Sequence, residues 1–142
     1  MPVKNLAVDP ITAGKDASIK ELAERMDEEQ LGDIIIAEDQ KPIGIVTDRD
    51  IALAVARNDD VSSLTAADIM AEDPVVIRGD AKGFELPERL AEAKVRRLPV
   101  VDRDGMLTGI VTLDDLVATI GEEMKDVATV IEAQSPGFAP EE

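Results

Sequence analysis

Gly44-Ile45-Val46-Thr47-Asp48-Arg49-Asp50-Ile51 returns 65 residues later as Gly109-Ile110-Val111-Thr112-Leu113-Asp114-Asp115-Leu116, and Asp9-Pro10-Ile11 returns 64 residues later as Asp73-Pro74-Val75. Two marker pairs at nearly equal offsets define a duplicated unit of about 60 residues. A unit that short struggles to bury a core alone, so the copies are expected to pack together as one pseudo-symmetric domain. Clefts between such halves are natural ligand sites.

Each copy reads β-α-β-β-α, a mixed α/β (α+β) pattern. In copy 1, Pro10 to Ala13 reads as a strand, and Ser18 with Glu21 has capping-box spacing. Ile19, Leu22, Ala23 and Met26 then form one helical face, which Gly32 is expected to end. Ile34-Ile35-Ile36, a turn at Asp39 to Pro42, and Ile43 to Val46 read as a hairpin. A second helix from Thr47 is expected to turn Ile51, Ala52 and Val55 inward.

In copy 2 the corresponding strand is Pro74 to Ile77, and the hairpin is Leu98 to Val101 with Leu107 to Val111. The extra residue falls in the turn Asp102-Arg103-Asp104-Gly105, where insertion is cheap. Leu116, Val117 and Ile120 are expected to face inward. Gly83 and Pro87 replace Ile19 and Ala23, and proline inside a helix costs ~3 kcal/mol outside the first turn. That helix should therefore start late, near Leu86-Pro87, after an irregular segment from Asp80 to Glu85, with Phe84 filling the place of Ile19. Residues 1–60 and 69–124 are thus the two motifs and 61–68 the linker, with Ala66 to Met70 a short helical turn on the other copy. Ile120, Met124, Val127 and Ile131 predict that the last helix runs past Gly121, with an apolar side suited to a dimer partner or folded back on the domain. Residues 125–142 are this extension and a disordered acidic tail.

Composition narrows the chemistry. With no histidine and no cysteine, imidazole catalysis, thiolates, disulfides and the usual zinc sites are all absent. The chain carries 31 acidic against 15 basic residues, a net charge of −16 spread along its length. Such a charge reads as a solvated surface adapted to high salt, or as an acidic face for a basic partner, and it disfavours nucleic acid. No apolar run is long enough for a membrane span, and Met1 to Lys4 lacks a secretory pattern, so a soluble cytoplasmic protein is expected.

The repeated Gly-Ile-Val-Thr-x-x-Asp segment carries the chemistry. A strand ending at a threonine where a helix begins points free N–H groups and a positive dipole end at one place, a small anion cradle. An Asp three residues on can accept both hydroxyls of a ribose diol. The neighbouring strands, with Ile34 and Ile36 in copy 1 and Pro99 and Val100 in copy 2, offer apolar walls for a base. Thr47 and Thr112 also read as plain helix caps with Asp50 and Asp115 as first-turn charges; two copies in one frame tip the reading toward a site.

With Asp9-Pro10-Ile11-Thr12, Ala17-Ser18-Ile19, Met26 and Leu98-Pro99-Val100-Val101-Asp102 added to these segments, the sequence resembles a tandem CBS domain pair, the Bateman module, over about residues 3 to 122. The resemblance implies two β-α-β-β-α repeats with pseudo-two-fold symmetry, in a stand-alone regulatory module that commonly dimerises and is not an enzyme. It implies adenosine-containing ligands (AMP, ADP, ATP or S-adenosylmethionine) as regulators rather than a resident cofactor, with occupancy signalled to a partner protein. Carried over, the ribose carboxylates fall on Asp50 and Asp115, the phosphate or ribose hydroxyls on Thr47 and Thr112, and a base-reaching hydroxyl on Thr12, whose counterpart Val76 has none. Arg49 fits a phosphate, whereas its counterpart Asp114 repels one unless Arg96 or Arg97 turns inward. Copy 1 is therefore expected to hold the better site for a charged nucleotide, and copy 2 a weaker one. The alternatives are a dimerisation scaffold with vestigial sites and a Mg²⁺-responsive dimer switch; Asp102 to Gly105 resembles part of a calcium loop but lacks its closing Glu.

Overall fold

A computed structural model describes residues 1–134; the expected disordered tail from Ser135 lies outside the described residues. After a 3₁₀ turn at Val3–Asn5, copy 1 contributes β1 (Thr12–Ala13), α1 (Ile19–Glu29), β2 (Asp33–Glu38), β3 (Lys41–Thr47) and α2 (Asp48–Arg57). A short helix α3 (Ala66–Ile69) leads into β4 (Ala71–Glu72), β5 (Ile77–Arg78), α4 (Glu85–Ala93), β6 (Arg97–Val101), β7 (Leu107–Thr112) and α5 (Leu113–Gln134). The β-α-β-β-α order occurs twice, as the repeat requires.

The two sheets run β1-β2-β3-β4 and β5-β6-β7, each with one parallel pair and one antiparallel hairpin. Their registers are superimposable. Ala13 pairs with Ile36, and Ile36 with Gly44, as Ile77 pairs with Val100, and Val100 with Gly109. The sheets also trade edges. β4, at the head of copy 2, pairs with β3 of copy 1, while Val8 bridges Ile110 of copy 2 and Val3 is buried in the copy 2 core.

The glycines of the two Gly-Ile-Val-Thr segments make this trade possible. A Cβ on Gly44 would overlap Met70 and sit 3.1 Å from the Ala71 carbonyl; one on Gly109 would sit 3.0 Å from Ala7 and 3.1 Å from the Val8 carbonyl. A side chain at either place would push the borrowed edge off the sheet.

Each half keeps its own core. Leu22, Met26, Ile34, Ile36, Val46 and Ala66 form one; Val3, Ile77, Leu86, Leu90, Leu98, Val100, Val111 and Leu116 form the other. Ile35 and Pro99, on the opposite faces of β2 and β6, are also fully buried. Both faces of each central strand are covered, which is why these strands read as unbroken apolar runs instead of alternating. The hairpins touch at both ends: Leu107 N donates to the Gln40 carbonyl at 2.7 Å, and Arg97 pairs with Asp33.

Several local expectations change. The first strand shrinks to two residues in each copy, since Pro10 and Pro74 cannot donate to a ladder. Helix α1 ends at Glu29 with Gln30 in the left-handed region (φ 55°), so Gln30 and not Gly32 caps it. The copy 1 turn is Asp39-Gln40, both at positive φ, and β3 resumes at Lys41. On α2, Ile51 and Ala54 face inward, whereas Ala52 and Val55 face water, because the helix starts at Asp48 and its phase is set from there. On α5 only Leu116 is buried; Val117 and Ile120 are exposed. Helix α4 does start late, with Pro87 in its first turn, but Phe84 is 75% exposed and fills nothing. The last helix does run on past Gly121.

Candidate functional site

Thr47 ends β3 directly opposite Asp33, and Thr112 ends β7 directly opposite Arg97. The Asp33–Arg97 ion pair therefore ties the two strand-to-helix junctions together across the pseudo-two-fold axis. Asp33 is the one buried charged residue among those described. Burial pushes its carboxyl above the ordinary value; Arg97 pulls it down, and nearby Asp48 adds to the rise. Thus Arg97, expected at most to offset Asp114, turns inward and serves the opposite copy.

At the copy 1 junction, Thr47 and Asp50 close a full capping box. Asp50 N donates to Thr47 Oγ1 at 3.1 Å, and Thr47 N donates to Asp50 Oδ2 at 2.9 Å. The cap occupies one carboxylate oxygen, and the other accepts no hydrogen bond among the described residues. At the copy 2 junction, Asp115 N donates to Thr112 Oγ1 at 3.0 Å, without the reciprocal bond among the described residues. Asp114 pairs with Arg96 at 3.0 Å on the exposed surface, while Arg49 enters no ion pair among the described residues. Copy 1 thus offers a free cation where copy 2 has a neutralised acid.

The other predicted residues are dispersed. Thr12 lines a cleft of about 560 Å³ with Pro10, Gly14, Ala37, Gln40 and Leu107, drawn from both copies. Asp50 lines a different one, of about 250 Å³, with Arg57, Asn58, Leu64 and Asp68. Ile34, Ile36, Pro99 and Val100 are fully buried, and three of them are core residues, so their side chains seat the strands. Sequence reasoning missed Asp33. Its signal was there: an acid at the head of an apolar strand, with an arginine at the same position of the second copy. No group of three or more acidic residues among those described is placed to hold a metal ion.

The profile of the CBS domain family matches residues 3–57 and 66–122, one match per repeat. The chain belongs to the CBS domain family. Among curated relatives, an uncharacterized protein of Methanopyrus kandleri is 36% identical over 126 residues, covering 82% of this chain and 64% of that one. The inosine-5'-monophosphate dehydrogenase of Korarchaeum cryptofilum is 32% identical over 108 residues, which cover 76% of this chain but 22% of the dehydrogenase. The chain thus spans a minor part of such enzymes. Among solved structures, the CBS domain pair of protein MJ0100 in complex with 5'-methylthioadenosine and S-adenosyl-L-methionine superposes with a TM-score of 0.77 at 28% identity, over 87% of this chain and 98% of that one. CBSX2 in complex with AMP gives 0.77 at 26% identity over the same shares. The tandem pair and its mixed α+β fold are those of this family.

Proposed function

We propose that this CBS pair is a regulatory ligand sensor that binds adenosine-containing molecules, of the AMP, ADP, ATP or S-adenosylmethionine type, at its strand-to-helix junctions. It acts as a homodimer in the cytoplasm and passes occupancy to a second protein; it is not itself an enzyme. The observation carrying this reading is the convergence of both junctions, each with a Thr hydroxyl, helix N–H groups and a first-turn Asp, on one central ion pair. The fold neighbours that hold adenosine compounds support the ligand class. Arg49 and its neutralised counterpart Asp114 support a preference of the copy 1 junction for the more highly charged nucleotides.

Isothermal titration at molar salt with AMP, ATP and S-adenosylmethionine tests the proposal. Asp50→Ala should abolish or sharply weaken nucleotide binding while the far-UV circular dichroism stays native; Arg49→Ala should weaken ATP more than S-adenosylmethionine. Native-like binding by Asp50→Ala would overturn the assignment. The capping box favours a second reading, a dimer scaffold with vestigial sites, because it gives Thr47 and Asp50 a structural task that needs no ligand. On that reading the wild type binds none of the three.

A further inference from the structure

Both arginines at the head of β6 are held by carboxylates. Arg96 pairs with Asp114 on the surface, and Arg97 reaches across to Asp33, its one ionic partner among the described residues. Directly opposed residues of neighbouring strands project from the same face of a sheet. Arg97 opposes Thr112 in this way, and Asp33 opposes Thr47. The Arg97 side chain therefore leaves the sheet on the side of the copy 2 junction, and Asp33 draws its guanidinium toward the copy 1 junction. The copy 2 junction keeps a Thr hydroxyl, helix N–H groups and the Asp115 carboxylate, with both of its arginines engaged elsewhere.

We propose that Asp33, a residue of copy 1, sets the ligand class of copy 2. By holding Arg97 it denies the copy 2 junction a phosphate partner. That junction takes an adenosine compound without phosphate, of which S-adenosylmethionine with its sulfonium cation is one, while phosphates go to copy 1 and Arg49. The inference rests on the adenosine reading above and names the residue that divides the two ligand classes. The pair holds against a ligand for a physical reason. A phosphate that captured Arg97 would strand the Asp33 carboxylate, which is buried and lies near Asp48. Breaking a buried pair is strongly unfavourable because the second charge stays behind uncompensated. Burial and Asp48 raise the Asp33 carboxyl above its ordinary value even with Arg97 in place, so this acid is poorly placed to lose its partner. Molar salt changes little here, since buried charges are weakly screened. Arg49, by contrast, is exposed and enters no ion pair among the described residues.

The test is isothermal titration of the wild type, Asp33→Asn and Asp33→Asn/Arg97→Met, at a temperature where circular dichroism shows each chain folded. Asp33→Asn keeps the shape of the side chain and frees the guanidinium. It should raise AMP affinity on the order of tenfold, the effect of one added charge-assisted hydrogen bond, without strengthening S-adenosylmethionine. The double variant should return AMP to its wild-type affinity, because Arg97 gives the ligand nothing while Asp33 holds it. A pair with a purely structural role would instead weaken both ligands together. No gain for AMP in Asp33→Asn overturns the inference. So does a double variant that binds AMP more weakly than the wild type, since Arg97 would then already serve the ligand; that comparison decides even where Asp33→Asn fails to fold. Inorganic phosphate, added in thermal-shift runs against chloride of equal ionic strength, separates this inference from the adenosine reading. A wild type that binds no adenosine compound sinks that reading. The role of Asp33 then stands if phosphate stabilises Asp33→Asn more than the wild type and the double variant, and falls if it does not.

Discussion

Replacing Arg97 by Met would remove the cation paired with the buried Asp33 while keeping most of the apolar volume. The side chains of Asp33 and Arg97 retain 11% and 29% of their exposure, so neither charge is well solvated. Removing one partner of a fully buried pair costs about 3–5 kcal/mol, and the residual exposure of this pair places the expected loss near 2–3 kcal/mol. For a domain of this size that is a fall in Tm of roughly 6–10 °C. The loss must depend on pH. Asp33 already has a carboxyl raised above 3.8 in the folded state. An acid of that kind contributes stability that is fully present below its unfolded value and lost as pH rises through its folded value. Without Arg97 the folded value climbs further, so the gap between variant and wild type should be wide at neutral pH and close toward pH 4. Asp33→Asn in the Arg97→Met background should restore most of the loss at neutral pH. Urea denaturation followed at 222 nm is the assay, because a chain without Trp or Tyr has no useful intrinsic fluorescence. Equal losses at pH 4 and pH 7, or no loss at either, would refute the assignment of this pair as the tie between the halves.

Gly109→Ala would press its methyl against Ala7 and the Val8 carbonyl, and should cost about 1–3 kcal/mol by urea denaturation, the range for overpacking. Faster hydrogen exchange at Val8 and Ile110, whose amides bond each other's carbonyls, should accompany it. Thr47→Ala removes the hydroxyl of a full capping box and should destabilise by about 1 kcal/mol in the same assay; Thr47→Ser should recover most of it.

The repeat, the element order and the late start of α4 were legible because each rests on local signals: matched motifs, apolar periodicity, and a proline tolerated only in a first helical turn. The trade of edges between the halves was not. Val3, Val8 and Ala71 carry no mark in the sequence saying that their partners lie in the other copy; only the requirement for Gly44 and Gly109 hints that something passes close by. Helix phase failed for a similar reason: Ala52 and Val55 satisfy an apolar pattern, but the packing of Ala54 decides which face turns in. Phe84 was misjudged because large aromatic residues are usually buried, whereas here the neighbouring surface is itself an apolar groove. At the strand-to-helix junctions, the Thr and Asp caps were readable from the motif. The pairing of Asp33 with Arg97 was not, because it requires knowing that the two strand heads meet.

The most direct test of the central claim is a thermal-shift screen at molar salt, with AMP, ADP, ATP, NAD and S-adenosylmethionine added separately. A ligand at 100 times its Kd stabilises by about 2.7 kcal/mol, a rise of roughly 6–10 °C for a domain of this size. The account predicts such a rise with at least one adenosine compound, lost in Asp50→Ala even after allowance for that variant's weaker helix cap. No rise with any of the five, at concentrations where the protein is folded, would contradict it.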